Sequence, residues 1–275
     1  METSEGKDIK GVVRERYAAR ALGATACCSP ATQANACCSP DARPVRTVAE
    51  KGIYKGTDLE GLPQEAIAAS AGCGNPTALA ELKPGEVALD LGSGGGIDCF
   101  LASQAVGPQG RVHGVDMTPE MIALARSNAR KLGLTNVKFH LAEMEDLPIE
   151  SDSVDVVLSN CVVCLSPDKD AVFREAFRVL KPGGRIHLSD MMLVGELPQP
   201  IKDDPQRWAE CVAGADLRDT YLGRLTEAGF EAVAVEDEKA YRQEPGLENL
   251  RSVRVRAVKP AYLINNMDLK KEIIL

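Results

Sequence analysis

The sequence predicts an α/β fold built around a mainly parallel sheet. Two patterns predict it: short apolar runs alternate with helical segments of about 10–15 residues, and a glycine-rich turn joins the first such strand to the next helix. Strands connected in this way pair in parallel, because right-handed βαβ crossovers return the chain to the same sheet. The length of 275 residues fits one large α/β domain with an appendage.

Five runs have the mostly apolar composition of buried parallel strands. They are EVALDLG (86–92), RVHGVD (111–116), VKFHLA (137–142), VDVVLSN (154–160) and RIHLSD (185–190). Helices are predicted between them at IDCFLASQAV, at MIALARSNARKL and at DAVFREAFRVL (170–180). The second of these begins with a cap at Thr118, a proline at 119 and an acid at 120, and it ends at Gly133.

The segments outside this alternation differ in composition. We predict a polar helix over 1–22, a loop over 23–47 that repeats the motif CCSP, and a short helix within 62–76 that ends at Gly72. After residue 190 we expect an insertion (191–216), a helix (217–230) and two closing strands, EAVAVED and RSVRVRAV. These features divide the chain into an N-terminal helix with a Cys-rich loop (1–47), a central α/β region (48–190) and a C-terminal region (191–275).

Charge and composition exclude several kinds of partner. A net charge of −8 disfavours nucleic acid and anionic membranes, and no apolar run approaches the ~20 residues of a membrane span. The N-terminal residues are charged and lack the apolar stretch of a signal peptide, so we expect a cytoplasmic protein. Nine cysteines are many for a chain in a reducing compartment, where thiols more often bind metals or carry redox chemistry than form bridges.

The glycine-rich turn has the composition of a nucleotide-binding loop. Gly92, Gly94 and Gly96 follow a strand and precede a helix, so the backbone can turn tightly and approach a ligand. Asp116 ends the next strand, where a carboxylate can accept hydrogen bonds from ribose hydroxyls. A dinucleotide site would favour glycine at position 97, where this chain has isoleucine. Asp90, just before the loop, is better placed to orient it than to touch a ligand.

The D-x-G-x-G-x-G pattern over 90–96 resembles motif I of the class I S-adenosylmethionine-dependent methyltransferases. The resemblance covers about residues 80–190, including the acidic segment around Met144, Ser159-Asn160, and VLKPGGRIHLSD. It implies a Rossmann-like fold with a seven-stranded, mainly parallel sheet and a C-terminal acceptor-binding region. The implied cofactor-binding residues are Asp90, Gly92, Ser93, Gly94, Gly96, Asp116, Met117, Met144, Glu145 and Asn160.

Three cysteines from remote segments are candidates for the acceptor site. Cys73 precedes the first strand, Cys161 follows the fourth strand, and Cys211 lies in the later insertion. Cys161 stands at the carboxyl edge of the sheet, where ligands bind in open α/β folds. Thiolates are soft ligands, so thiols converging there would select a thiophilic ion. Cys99, inside a predicted helix, is expected to be a core residue.

The segments AGCGNP, SNCVVCLSPDK and ECVAGA resemble the cysteine motifs of the arsenite methyltransferases, and the match covers most of residues 10–235. The resemblance implies that Cys73, Cys161 and Cys211 bind trivalent arsenic. It also implies that an N-terminal cysteine, Cys38 or Cys37, forms a transient disulfide with Cys73. Cys164 departs from the motif, which usually has asparagine after CVV, and leaves open an added ligand or a redox partner.

The implied reaction is methyl transfer from S-adenosylmethionine to thiol-bound arsenic(III), giving mono- and dimethylated arsenicals, with thioredoxin or glutathione as reductant. The sequence also permits other interpretations. The chain could methylate a small organic acceptor, although aromatic residues make up only 4% of it. It could also be a non-catalytic metalloid-binding protein, or hold structural zinc through Cys161, Cys164 and the N-terminal CC pairs.

Overall fold

A computed structural model describes residues 8–23, 54, 56–240 and 244–261. Its seven strands form one sheet in the order β3-β2-β1-β4-β5-β7-β6. The strands are β1 (Val87–Leu91), β2 (Arg111–Asp116), β3 (Val137–Leu141), β4 (Val154–Asn160), β5 (Leu180–Leu193), β6 (Glu231–Ala240) and β7 (Leu250–Val258). Only β7 runs antiparallel to its neighbours β5 and β6, so the prediction of a mainly parallel, seven-stranded sheet is confirmed.

The α-helices within the described residues are α1 (Ile9–Ala21), α2 (Gln64–Ala69), α3 (Pro76–Leu79), α4 (Ile97–Val106), α5 (Pro119–Lys131), α6 (Lys169–Val179), α7 (Gln199–Lys202), α8 (Pro205–Ala209) and α9 (Arg218–Glu227). None of these helices is long and apolar enough to cross a membrane. Buried apolar clusters lie on both faces of the sheet, one involving α6 and α9 and the other α4 and α5. The central strands are therefore covered on both sides, as their apolar composition predicts.

Helix α2 ends earlier than the sequence predicts. The glycine at 72 indicated the stop, but the helix ends at Ala69 and Ser70 is already extended. The guanidinium of Arg20, on α1, donates hydrogen bonds to the carbonyl oxygens of Ala69 and Ser70. These carbonyls lie at a helix end, where they lack intrahelical partners, so a contact from a distant helix satisfies the terminus.

Strand β5 extends beyond the predicted range 185–190, and the prediction that an insertion begins at 191 is wrong. Residues 191–193 continue the strand because β7 pairs with them in antiparallel register as far as Leu250. The predicted division at residue 190 thus falls inside a strand, and the strands after it belong to the same sheet. That the region after this residue (191–275) binds the acceptor remains a prediction.

Candidate active site at the carboxyl edge of the sheet

The glycine loop and the acid at the end of β2 are held together by hydrogen bonds. The N–H of Gly94 donates to one carboxylate oxygen of Asp116 at 2.9 Å, and the N–H of Thr118 donates to the other at 2.8 Å. Gly92 has a φ of +66°, and a Cβ there would collide with the side chain of Val162. Glycine is therefore needed both for the backbone conformation and for the close approach of the next loop.

A pocket of about 930 Å³, counting its open mouth, lies over this loop. Eight of the ten predicted cofactor-binding residues line it: Gly92, Ser93, Gly94, Asp116, Met117, Met144, Glu145 and Asn160. Asp90 and Gly96 are not part of the lining. Asp90 is buried and accepts a hydrogen bond from the thiol of Cys99 at 3.3 Å, whereas Gly96 donates its N–H to the carbonyl of Ser93. These two residues therefore support the conformation of the loop without lining the pocket. This is the role that the position of Asp90 in the sequence predicts.

Helix α1 contributes a wall of the pocket that the sequence did not indicate. Lys10, Val13 and Tyr17 line the pocket, and the ammonium of Lys10 lies 2.6 Å from Glu143 and 3.0 Å from Glu145. Burial alone would lower the pKa of Lys10, but its hydrogen bonds to the two glutamates raise that pKa overall. The helix sits more than 100 residues before its partners, so no local motif could have revealed this contact.

Asn160 connects the start of helix α4 to the Cys73 segment. Its side-chain oxygen accepts the N–H groups of Cys73 at 3.0 Å and of Gly74 at 3.2 Å. Its side-chain nitrogen donates to Asp98, the second residue of α4, and to the hydroxyl of Tyr54. Tyr54 in turn donates to Asp98 at 2.8 Å. Burial raises the pKa of Asp98 to about 6, and the hydrogen bonds from Asn160 and Tyr54 oppose that rise.

The three predicted thiols converge, and a fourth joins them. The exposed fractions are 9% for Cys73, 4% for Cys161, 5% for Cys211 and 0% for Cys164. The sulfurs of Cys161, Cys164 and Cys211 all lie within 4.8 Å of one another, and the Cys73 thiol donates a hydrogen bond to the carbonyl of Ser189, the same carbonyl that accepts the N–H of Cys161. Hydrogen bonds with Cys164, Cys211 and Cys73 raise the pKa of Cys161 well above its ordinary value. Burial raises the pKa of Cys164 as well, so the thiols of Cys161 and Cys164 are neutral near pH 7.

Two of these cysteines have strained backbones. Cys161 and Cys211 each have a φ of +62°, in the left-handed region that L-residues with a side chain rarely adopt. Such a conformation costs about 1–3 kcal/mol and persists where surrounding contacts hold it in place. The N–H of Cys161 donates to the carbonyl of Ser189, and that of Cys211 donates to the carbonyl of Trp208. Strain of this kind is concentrated at functional sites in proteins.

The pocket and the thiol cluster meet at Cys161, which belongs to both. Cys99, by contrast, is fully buried and separate from the cluster, which confirms its prediction as a core residue. The predicted redox residue Cys38, with Cys27, Cys28 and Cys37, lies outside the described residues. The arrangement can therefore hold a thiophilic group directly beside whatever occupies the pocket.

Comparison with known proteins agrees with this geometry. Residues 82–243 match a family described as a methyltransferase domain. The crystal structure of an arsenic(III) S-adenosylmethionine methyltransferase from Chlamydomonas reinhardtii superposes with a TM-score of 0.65 at 35% identity, covering 74% of this chain and 72% of that one. The arsenite methyltransferase of Halobacterium salinarum is 45% identical over 83% of this chain, and the human arsenite methyltransferase is 42% identical over 46% of it.

Fold and matched domain together define a class I methyltransferase, with the strand order and glycine loop of that class. Within that class, the chain belongs to the arsenite methyltransferase family. It spans 59% of the length of the Halobacterium relative and 36% of the human one.

Proposed function

We propose that this chain binds S-adenosylmethionine in the glycine-loop pocket and transfers its methyl group to trivalent arsenic bound by Cys73, Cys161 and Cys211. The observation that carries the proposal is the position of Cys161, which lines the pocket and also belongs to the buried thiol cluster. An ion bound to this sulfur lies beside the pocket. Proximity of this kind can lower a reaction barrier by several kcal/mol, up to ~7–11 in favourable cases.

The binding step suits neutral thiols. Each Cys S–H replaces one hydroxyl of arsenious acid, forming an As–S bond and releasing water, so no thiolate charge is created in the buried site. Such a charge would be unfavourable, because hydrogen bonding with its neighbours and burial raise the pKa of Cys161. Sulfur is also the soft donor that a thiophilic ion prefers.

Methyl transfer then needs no general base. Trivalent arsenic keeps a lone pair, which attacks the methyl carbon as the carbon–sulfonium bond breaks and S-adenosylhomocysteine is released. The attacking atom loses no proton. On the protein side, the Asp116 carboxylate is available to accept hydrogen bonds from the ribose, and Asn160 fixes the Cys73 segment beside the pocket.

The methylated product is formally pentavalent, so a second round requires two electrons. Two thiols can supply them by closing a disulfide, which thioredoxin or glutathione reopens by thiol–disulfide exchange. Cys73 and an N-terminal cysteine, Cys38 or Cys37, are the proposed pair. Repeated rounds would give mono- and dimethylated arsenicals, and we expect the activity in the cytoplasm, where thiols are kept reduced.

The test is whether methyl donor consumption depends on arsenite. Purified protein with S-adenosylmethionine and external thiol is expected to form S-adenosylhomocysteine when arsenite is added and not without it. Speciation of the arsenic should show one arsenic-bound methyl group for each S-adenosylhomocysteine formed. Turnover that does not depend on arsenite but requires a small organic acceptor would instead identify a methyltransferase of another substrate class.

A further inference from the structure

Cys164 has no role in the proposed reaction, although its sulfur lies within 4.8 Å of the sulfurs of Cys161 and Cys211. We propose that Cys161, Cys164 and Cys211 form an inner three-thiol site that binds trivalent arsenic without Cys73. The inference rests on the proposed function and assigns the substrate ion a second mode of binding. In that mode Cys164 replaces Cys73 as the third sulfur.

The geometry favours this set of three. Among the described Cys, His, Asp and Glu side chains, the group whose ligand atoms all lie within 4.8 Å of one another consists of Cys161, Cys164 and Cys211. Cys73 is not a member. Strand β4 ends at Asn160, and the chain then enters a 3₁₀ turn over Val163–Leu165. Cys164 lies within this turn, three residues after Cys161.

The inner site is held in place by contacts that need no ion. The N–H of Cys164 donates to the Asp190 carboxylate at 2.9 Å, and the hydroxyl of Tyr221 donates to the same oxygen at 3.1 Å. A Cβ on Gly214 would collide with the carbonyl of Cys164, so the segment carrying Cys211 packs directly on this turn. A site already ordered in the free protein loses little entropy on binding.

The number of sulfurs selects the ion. A structural zinc site has four ligands at about 2.0–2.3 Å, whereas the group of described ligand atoms that all lie within 4.8 Å of one another has three members and does not include Cys73. Trivalent arsenic forms three bonds and keeps a lone pair, so three thiols complete its coordination. Arsenious acid exchanges its three hydroxyls for the three thiols and releases three waters, with no electron transferred.

The two sets of sulfurs differ in their relation to the pocket. Neither Cys73 nor Cys164 lines the pocket, but Cys73 directly follows the lining residue Gly72 and is 9% exposed, whereas Cys164 has no exposed surface. An ion that takes Cys164 as its third ligand therefore lies deeper than one that takes Cys73. Exchange between the two modes needs only transfer of the Cys164 proton to the Cys73 sulfur as one As–S bond replaces the other.

The test counts sulfurs by arsenic X-ray absorption on reduced protein loaded with arsenite, in a chain whose Cys27, Cys28, Cys37 and Cys38 are serine. Parent, Cys73→Ser and Cys164→Ser proteins are each expected to show three As–S bonds. The double variant Cys73→Ser/Cys164→Ser should show two and bind arsenite at least about tenfold more weakly by equilibrium dialysis. S-adenosylmethionine affinity, measured by calorimetry, serves as the check that each variant is folded.

Two sulfurs in Cys73→Ser would overturn the inner site while leaving the proposed function intact. The same holds if purified protein contains zinc on these thiols that arsenite does not displace. If the parent protein binds no arsenite, the proposed function itself fails. A misfolded Cys164→Ser protein is replaced by Cys164→Ala, which removes the same sulfur and has the same expected result.

Discussion

The two halves of the candidate site are built in opposite ways. The glycine-loop part of the pocket belongs to one continuous βαβ unit, since β1, the glycine loop, α4 and β2 all lie within residues 87–116. The thiol side joins Cys73, Cys161 and Cys211, which are separated by 88 and 50 residues along the chain. Local sequence specifies the first half, whereas the sheet brings the second half together.

The halves also differ in how they achieve unusual backbone angles. The loop uses glycine at its positive-φ positions, where the absence of a Cβ removes the steric penalty. The thiol side places cysteine itself at positive φ, at Cys161 and Cys211. Glycine could not replace these residues if their sulfurs bind the ion. Backbone strain therefore occurs where the side chain, rather than the backbone, performs the proposed chemistry.

The largest effect is expected at the shared sulfurs. Cys161→Ser and Cys211→Ser should each lower methylation of both arsenite and monomethylarsonous acid by at least about 100-fold, because both substrates need these two thiols for positioning. Product speciation with external thiol as reductant measures this. Cys99→Ser, a buried thiol outside the cluster, is the control and should stay active. Efficient methylation by Cys161→Ser would show that the acceptor site has been misplaced.

A sharper division is expected for Cys73→Ser. Arsenite uses three sulfurs for productive binding, whereas a species already carrying one methyl group has only two bonds left for thiols. The variant should therefore lose methylation of arsenite and keep methylation of monomethylarsonous acid. Rates for the two substrates, measured in parallel, decide the point. Wild-type rates on arsenite would remove Cys73 from the productive ligand set.

On the pocket side, Asp116→Ala should weaken S-adenosylmethionine binding by about 1.5–3 kcal/mol through loss of a charge-assisted hydrogen bond to the ribose. That range corresponds to roughly 10–150-fold in affinity by calorimetric titration. Asp116→Asn, which keeps one acceptor oxygen for the loop N–H groups, should lose less. Arsenite binding should be unchanged in both variants. Unaltered cofactor affinity in Asp116→Ala would exclude this residue from the site.

Asp98 predicts a dependence of stability on pH. Burial raises its pKa from 3.8 to about 6, so the folded state binds more protons than the unfolded state between these values. Its contribution to stability is present below pH 4 and is lost as pH rises to about 6, by roughly 3 kcal/mol at most. Asp98→Asn should make the pH dependence of the urea-unfolding free energy less steep in this window, where Asp190, whose pKa burial also raises to about 6, still contributes. Asp219→Asn, at a side chain 90% exposed, should reproduce the parent profile, and a slope unchanged in Asp98→Asn would refute the assignment.

The smallest effect is expected from Cys38→Ser. If this cysteine only transfers electrons, the variant should bind arsenite with unchanged affinity, and Cys37, Cys28 or Cys27 can substitute in reduction. Equilibrium dialysis with arsenite provides the measurement. Weaker binding in this single variant would make Cys38 a ligand and extend the thiol side of the comparison to the N-terminal segment.

The pocket was largely predictable because its residues follow one another in a fixed order. Strand, glycine loop, helix and distal acid occupy set positions in a βαβ unit, so spacing alone brings Gly94 close to Asp116. Lys10, Tyr17 and Tyr54 could not be predicted in this way. They reach the site from segments whose local pattern is that of an ordinary polar helix or loop, and only packing shows where they lie.

The sequence by itself determined the fold class, the glycine loop and the three cysteine segments that resemble one enzyme family. These features depend on local composition and spacing, which persist in any conformation of the chain. Tertiary structure alone decided that Cys164 joins Cys161 and Cys211, that helix α1 closes one wall of the pocket, and that β5 continues to Leu193. Each of these depends on contacts between residues far apart in sequence, which form only when the sheet and its covering helices pack together.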